Sequence, residues 1–252
     1  QIPKNQEISY RIVGGTSAIL DKLSVDFSDK ELELNQKVVA INAEKTAIRI
    51  VTASSEFMAD FVVSTIPPQL LINTVQFNPK LPQNLVQIAN NTHTWMKDSI
   101  KFAVVYKTPF WKKNELSGAS FSNVGPFTEM YDHTDFEHHH FALIGFLNSA
   151  LNTESRQHRE EKVSQQLFNF FGEDGENYLS YEEKVWSNEA LLSFQNDTFI
   201  SPHFNNGHVI YQKEFLDGKF IVAGSETSAK YGGYMEGAIH RGNQIIEKLK
   251  NR

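Results

Sequence analysis

The stretch that most constrains this chain is an apolar run followed by a glycine-rich turn and a helical pattern. The run KFIVA, residues 219–223, predicts a buried strand with Gly224 at its exit. Gly232 and Gly233 then precede a helical pattern that starts at Tyr234. A strand, a glycine-rich turn and a helix N-terminus together direct free backbone N–H groups and a partial positive charge to one place. The pattern therefore predicts a site for a phosphate or for the polar edge of a planar ligand.

Length and composition set the protein class. The chain has 252 residues, 40% of them hydrophobic, which is enough for one large or two ordinary domains. A net charge of −6 and a pI near 5.9 give no electrostatic footprint for nucleic acid or an anionic membrane. No apolar run reaches the ~18 residues of a membrane span, and no signal-peptide pattern occurs. We therefore expect a soluble protein, with the cytoplasm as its expected location, although the absence of cysteine does not fix the compartment.

Periodicity predicts two blocks of strands and four helices. The strands are expected at 38–41, 47–52, 60–64, 100–106, 141–147 and 178–186, and again at 219–223. The helices are expected at 16–23, 81–91, 157–171 and 234–249. The third of these should cover a sheet and end at Gly172. The fourth should bury Ala238, Ile245, Ile246 and Leu249 on its apolar side.

Several chemistries are disfavoured by the sequence. It contains no GxSxG, P-loop or HExxH motif and no cysteine nucleophile, so hydrolysis and phosphoryl transfer are poor hypotheses. The run His138-His139-His140, with Asp132 and Asp135 nearby, invites a metal hypothesis. Adjacent strand residues point to opposite faces, and no second ligand cluster has zinc-like spacing. We interpret the run as a polar turn and predict no metal site.

Seven short motifs, in chain order, resemble those of the flavin-containing amine oxidases, the monoamine oxidase superfamily. They are RIVGGT (11–16), VVSTIPP (62–68), FNPKLP (77–82), SIKF (99–102) leading into PFW (109–111), YEEKVW (181–186), SPH (201–203) and the glycine-rich signature at 224–238. Each motif alone is weak, but their order is specific. The resemblance covers almost the whole chain.

The resemblance implies an α/β fold with α+β character. The chain would supply the C-terminal segments of a two-lobe FAD-binding fold with a mixed, largely antiparallel substrate-domain sheet. Residues 1–75 and 202–252 would belong to a partial FAD-binding domain, and residues 76–201 to a partial substrate domain. The family's GxGxxG motif, which holds the FAD pyrophosphate, does not occur here. The chain therefore resembles the C-terminal half of a longer flavoenzyme.

A half-enzyme should behave differently from a whole one. We expect this chain alone to bind FAD weakly and to be inactive. We also expect it to expose a large apolar face at residues 38–41, 60–64 and 219–223. That face would be covered by the missing N-terminal half or by self-association.

The implied activity is FAD-dependent oxidation of a small-molecule amine. Hydride would pass from the carbon beside a neutral amine to flavin N5, the imine would hydrolyse, and oxygen would regenerate the flavin with release of peroxide. Because the chain has no cysteine, the FAD would be non-covalent. A related flavin desaturase or oxidase stays open as an alternative. So does a non-catalytic fragment or scaffold that lacks a complete FAD site.

Three residues are the catalytic candidates. The resemblance implies that Lys101 holds a water at flavin N5, that Trp186 packs beside the isoalloxazine, and that Tyr234 is one wall of an aromatic cage. From the sequence alone, Lys101 lies in an apolar strand where burial would lower its pKa, but it could equally be an outward-facing strand residue. Trp186 and Tyr234 could equally be core aromatics. The family's second cage aromatic is not at its expected position in SNEALLSF (187–194), so the resemblance does not fix the substrate class.

The cofactor-binding candidates cluster in the glycine-rich signature. Glu226 is expected to order the turn near the ribityl or phosphate region, although a locally satisfied carboxylate would explain it too. Val38 corresponds to backbone that pairs with adenine. The remaining candidates are Gly224, Ser225, Gly233, Tyr234 and Met235.

Overall fold

The computed structural model describes residues 10–28, 31–192 and 200–252. The chain divides into two compact units, Gln1–Lys37 and Val38–Arg252. The first unit contains helix α1 (Ser17–Ser24), none of whose residues is buried.

The second unit contains the remaining elements. Its strands are β1 (Val38–Ala43), β2 (Ile48–Thr52), β3 (Glu56–Ala59), β4 (Val62–Ser64), β5 (Gln76–Asn78), β6 (Ile100–Tyr106), β7 (Ser120–Phe121), β8 (Phe127–Asp132), β9 (Phe141–Leu147), β10 (Ser180–Val185) and β11 (Phe220–Val222). Its helices are α2 (Pro68–Thr74), α3 (Gln83–Asn90), α4 (Phe110–Lys113), α5 (Arg156–Phe171), α6 (Glu173–Glu176) and α7 (Met235–Lys250).

The first core of this unit lies around a four-stranded mixed sheet in the order β3-β2-β1-β5. β1 pairs antiparallel with β2 and parallel with β5. A separate two-stranded parallel sheet joins β4 to β11. Ile41, Ile48, Leu71, Tyr211 and Phe220 are among the buried side chains that bring these strands together with α2 and α3. Pro68 is the first residue of α2, where a missing N–H breaks no helical hydrogen bond.

The second core lies on one face of a five-stranded antiparallel sheet in the order β10-β6-β9-β8-β7. The Ser155 hydroxyl caps α5 by accepting a hydrogen bond from the His158 N–H at 3.2 Å, and the helix ends at Gly172, whose φ is +64°. Val163 and Leu167 of α5 are fully buried against the sheet. The prediction that this helix covers a sheet is confirmed.

The central strand β6 separates the two faces of this sheet. Ile100, Phe102, Val104 and Tyr106 point into the core, and the residues between them point to the opposite face. We call that opposite face, which α5 does not cover, the outer face of the sheet. Lys101 lies on it.

Several predicted elements need correction. The strand expected at 60–64 is the three-residue β4, which lies in a different sheet from the preceding β3. Strands β3, β5, β7 and β8 and helices α2, α4 and α6 were not predicted; β5 and β7 have only three and two residues, too few for a periodic signal.

The predicted apolar side of α7 is wrong in part. Its buried residues are Gly237, Arg241 and Ile245, whereas Ala238, Ile246 and Leu249 are exposed. The Arg241 guanidinium donates to the Tyr211 carbonyl and to the Gln212 side chain, so a polar anchor fixes the buried side. Burial lowers the pKa of Arg241.

The expected apolar face at residues 219–223 is also wrong. Phe220, Ile221, Val222 and Ala223 are all buried, because β11 lies between the first core and the inner side of α7. Exposed apolar side chains occur at Val63 of β4, within the expected face, and on α7 at Met235, Ile239, Ile246 and Leu249.

Neither a metal-binding cluster nor a membrane-spanning helix occurs in the described part of the chain. Residues 10–28, 31–192 and 200–252 contain no group of three or more His, Asp or Glu side chains placed to hold a metal ion. His140 instead contacts Asp135 at 2.8 Å. Over the same ranges, no helix is long and apolar enough to cross a membrane.

A buried ion pair should contribute strongly to the second core. The Arg159 guanidinium donates to the Glu183 carboxylate, which also accepts from the Tyr181 hydroxyl at 2.7 Å. Burial alone would raise the pKa of Glu183, but the hydrogen bonds and the charge of Arg159 outweigh it and hold the pKa below its ordinary value. The pair is therefore stabilising above the ordinary Glu pKa, and its contribution is lost as the pH falls through the lower folded-state value.

We predict that Glu183→Gln lowers the free energy of unfolding by about 3 kcal/mol at neutral pH, because it leaves Arg159 buried without a counter-charge. Urea unfolding at neutral pH and at about pH 4 should show the difference from wild type shrinking in acid. Glu182→Gln is the control. Glu182 neighbours Glu183 but is exposed, so its surface pair with Arg156 should contribute below about 1 kcal/mol. Equal effects of the two substitutions would contradict the prediction.

Candidate functional site

The glycine-rich turn after β11 encloses a buried carboxylate. Residues Ser225–Thr227 form a single 3-10 turn after Gly224. Glu226 is only 5% exposed, and its carboxylate accepts a hydrogen bond from the Ser225 hydroxyl at 3.0 Å. Burial raises the pKa of Glu226, although hydrogen bonds oppose the shift. No ion pair to Glu226 occurs in the part of the chain that the structure describes.

Gly233 brings this turn to the start of α7. Its N–H donates to the Ser225 carbonyl at 3.1 Å, and its φ is +86°. A Cβ atom at this position would lie 2.9 Å from the Asn206 amide nitrogen and 3.1 Å from the Trp95 Cβ. Only glycine combines this φ with this close approach. Tyr234 then precedes α7 without a side-chain cap, which leaves the first-turn N–H groups, beginning at Met235, without a side-chain acceptor at the cap.

Tyr234 belongs to a group of three rings that we call the aromatic stack. The rings of Trp95 and His203 are stacked with centroids 4.4 Å apart, and those of His203 and Tyr234 are stacked at 5.3 Å. His203 Nδ1 lies 3.1 Å from the Gly232 carbonyl oxygen, which can only accept. The proton is therefore assigned to Nδ1, and Nε2 accepts from the Tyr234 hydroxyl at 3.5 Å. The aromatic stack joins the start of α7 to two loops.

Sequence reasoning missed most of the aromatic stack. Trp95 and His203 lie outside helices and strands, where no periodicity assigns a face. The sequence marks His203 only as part of the family motif SPH (201–203). The positive φ of His203, +59°, shows a turn that its sequence did not signal.

Lys101 lies on another surface, the outer face of the five-stranded sheet, and Trp186 directly follows the last residue of β10. The Lys101 Nζ is 5.8 Å from the centroid of the Phe146 ring on β9. On β10, Lys184 is opposite Lys101, and the Lys184 Nζ is 5.4 Å from the Trp186 ring. Lys101 is exposed, as the outward-facing alternative predicted, because strand alternation directs its neighbours inward.

The remaining predicted positions lie apart from these groups or outside the described residues. Val38 is the first residue of β1, at a register shift opposite Thr52, and packs partly buried on the first core. Of the stretch expected to hold a second cage aromatic, residues 193 and 194 lie outside the described residues.

Two cavities accompany these features. One of about 290 Å³ lies beside the aromatic stack and is lined by His93, Trp95, Leu147, Ile200 and Pro202, among others. A larger one of about 600 Å³ lies between α5 and the loop at 124–126 and contains none of the predicted site residues. No predicted site residue lines the smaller cavity either; it reaches the aromatic stack only through Trp95.

The model of the family described as flavin containing amine oxidoreductase matches residues 4–245. The chain belongs to this family. It is 26% identical over 247 residues to human amine oxidase [flavin-containing] B, a match that covers 95% of this chain and 46% of the human protein. It is 25% identical to the probable flavin-containing monoamine oxidase A of Dictyostelium discoideum, covering 96% of this chain and 53% of that protein. The chain thus spans about half the length of these relatives.

Solved structures show the same fold. A putrescine oxidase bound to putrescine superposes with a TM-score of 0.79 at 22% identity, covering 95% of this chain and 54% of that one. Cyclohexylamine oxidase from Brevibacterium oxydans IH-35A gives a TM-score of 0.80 at 21% identity, covering 94% and 53%. The predicted family and the predicted fold class, with its mixed and largely antiparallel sheets, are confirmed. The division of this family member into FAD-binding and substrate domains, and the roles of its site residues, stay predictions.

Gly233→Ala should disrupt the junction between the turn and the aromatic stack. Alanine at φ +86° is strained and its Cβ meets Asn206 and Trp95, so we expect a loss of about 2–4 kcal/mol in the free energy of unfolding. Near-UV circular dichroism should also change, because Trp95 is displaced. The control is Gly242→Ala within α7, where a Cβ meets nothing within 4 Å and helix propensity favours alanine by up to about 1 kcal/mol. A Gly233→Ala protein as stable as wild type would contradict this account.

Proposed function

We propose that this chain is part of an FAD-dependent amine oxidoreductase that oxidises the C–N bond of a small amine. The observation that carries the proposal is the glycine-rich turn, where buried Glu226, Gly233 and the uncapped start of α7 converge. The family match supports the same conclusion. Because the chain covers about half of its relatives, the activity is proposed for the protein that also contains the nucleotide-binding half.

The residues of the turn fit an anionic, hydroxyl-bearing cofactor. A helix N-terminus without a side-chain cap favours a phosphate, and the absence of a Cβ at Gly233 allows close approach to the backbone. Ser225 and Glu226 offer a hydroxyl and a carboxyl group. We assign cofactor contacts to Gly224, Ser225, Glu226, Gly233, Tyr234 and Met235, with Val38 contributing backbone. When bound, FAD supplies the two-electron acceptor for amine oxidation.

The chain's own side chains would orient the reactants. Lys101 is an exposed cation without an ion-pair partner in the described residues, so its ammonium can hold a water molecule by donating to it. Its register partner Lys184 is instead paired with Glu189 at 2.8 Å. Trp186 and Tyr234 would present ring faces to an amine and exclude water. The relatives named as amine oxidases support a small amine as the substrate.

The first test concerns cofactor binding. We predict that these residues alone bind FAD weakly, because the absent βαβ unit would supply most phosphate contacts. The protein that includes that unit should bind FAD stoichiometrically and show the visible absorption of oxidised flavin. Fluorescence titration of both forms measures the difference. Tight binding by the present chain alone would contradict the half-site assignment, and a colourless larger protein would favour the non-catalytic alternative.

The second test concerns Lys101. In the flavin-loaded protein, Lys101→Met should slow flavin reduction or reoxidation roughly 10²-fold, because a positioned cation and its water are lost with little change in volume. Stopped-flow absorbance measures both half-reactions, and an unchanged flavin spectrum shows that the cofactor site is intact. Lys184→Met is the control, since Lys184 lies opposite Lys101 on the same face but is paired with Glu189. Unchanged rates in Lys101→Met would make Lys101 an ordinary surface residue.

A further inference from the structure

The outer face of the five-stranded sheet carries a carboxylate in line with Lys101. Lys101 of β6 is opposite Phe146 of β9, and Phe146 is opposite Glu129 of β8. Neighbouring strands are about 4.8 Å apart, so two strand spacings separate the Lys101 and Glu129 backbones by roughly 10 Å. The Phe146 ring lies between them.

A β-bulge puts Glu129 on this face. The pairing of β8 with β9 shifts register between Phe127, opposite Leu147, and Glu129, opposite Phe146. Phe127 is buried in the core, so a regular strand would place Thr128 on the outer face and Glu129 toward the core. The extra residue reverses this alternation. Bulges commonly re-aim a side chain beside a functional site.

The surroundings of Glu129 suit an alkylammonium ion. Phe121 of β7 lies opposite Glu129, and the Tyr131 hydroxyl donates to the Glu129 carboxylate at 2.9 Å. The rings of Phe121 and Tyr131 are 5.8 Å apart, edge to face. With Phe146 on the other side, aromatic rings flank the carboxylate, and ring faces attract cations.

Glu129 also lacks a counter-charge. Within residues 10–28, 31–192 and 200–252, no Lys, Arg or His forms an ion pair with it. Its neighbours on the sheet are paired: Asp132 contacts Lys112 at 3.2 Å, and Glu182 contacts Arg156 at 3.5 Å. A partly buried carboxylate among rings and without a cation can gain one from a ligand.

We propose, resting on the proposed function, that Glu129 binds the second ammonium group of a short aliphatic diamine whose other amino group is oxidised beside Lys101. The positive charge of Lys101 repels a cationic amine, so the neutral end of the diamine lies beside it and the charged end lies at Glu129. The methylene chain would lie across Phe146. The substrate class is therefore a diamine rather than a monoamine.

The test compares putrescine with n-butylamine, which has the same carbon chain and one amino group fewer. In the flavin-loaded protein we expect kcat/KM to favour putrescine at least tenfold. Glu129→Gln should reduce that preference at least tenfold, mainly through KM for putrescine. Glu182→Gln, which neutralises a paired carboxylate on the same face, should keep it.

A binding measurement that needs no turnover accompanies the kinetics. Calorimetric titration of putrescine into the flavin-free protein should show binding that weakens with added salt and weakens at least tenfold in Glu129→Gln, but not in Glu182→Gln. Oxidation of both amines with equal kcat/KM, unchanged by Glu129→Gln, would overturn the diamine inference and leave amine oxidation intact. If no amine reduces the flavin, the proposed function fails, and the titration then decides the Glu129 site alone.

Discussion

Strand β6 has one buried face and one outward face, and the rest of the second core depends on this division. Alternation commits Ile100, Phe102, Val104 and Tyr106 to the interior, where α5 covers them. The same alternation places Lys101 on the outer face of the sheet. A register slip of one residue would bury the Lys101 ammonium and expose Phe102. Packing of the buried face therefore fixes which side chains the outer face presents. The buried pair between Arg159 and Glu183 fastens the helix to the edge strand β10 and so holds that register.

The first core positions its part of the site in a different way. Here a backbone close approach, rather than a strand face, sets the geometry: the N–H of Gly233 reaches the Ser225 carbonyl while Trp95 packs against the same residue. Arg241, within α7, anchors this helix by donating a hydrogen bond to the Tyr211 carbonyl. The contacts of Gly233 and of Arg241 thus both hold α7 in place, and its first-turn N–H groups can be pre-organised for a ligand.

Sequence patterns predicted the long, periodic elements and failed where tertiary contacts decide. β6, β9, α5 and α7 were predicted close to their observed bounds because periodicity extends over seven or more residues in each. The buried side of α7 was missed, since it is chosen by a buried arginine and a glycine rather than by its most apolar residues. Trp95 lies in a loop, and Glu129 reaches its face through a bulge that inverts the alternation; neither position has a local signal. The family motifs pointed to Tyr234 and Lys101, but only the fold determines which side chains surround them.

The burial of Glu226 affects the charge of the glycine-rich turn. A carboxyl group with a raised pKa spends more of its time as the neutral acid, and the neutral acid can donate a hydrogen bond as well as accept one. The raised pKa lowers the cost of protonating Glu226 when a phosphate approaches the positive end of α7. Once protonated, the same residue could exchange hydrogen bonds in both directions with a hydroxyl group, so its burial eases the approach of a polyanionic ligand to a nominally acidic turn.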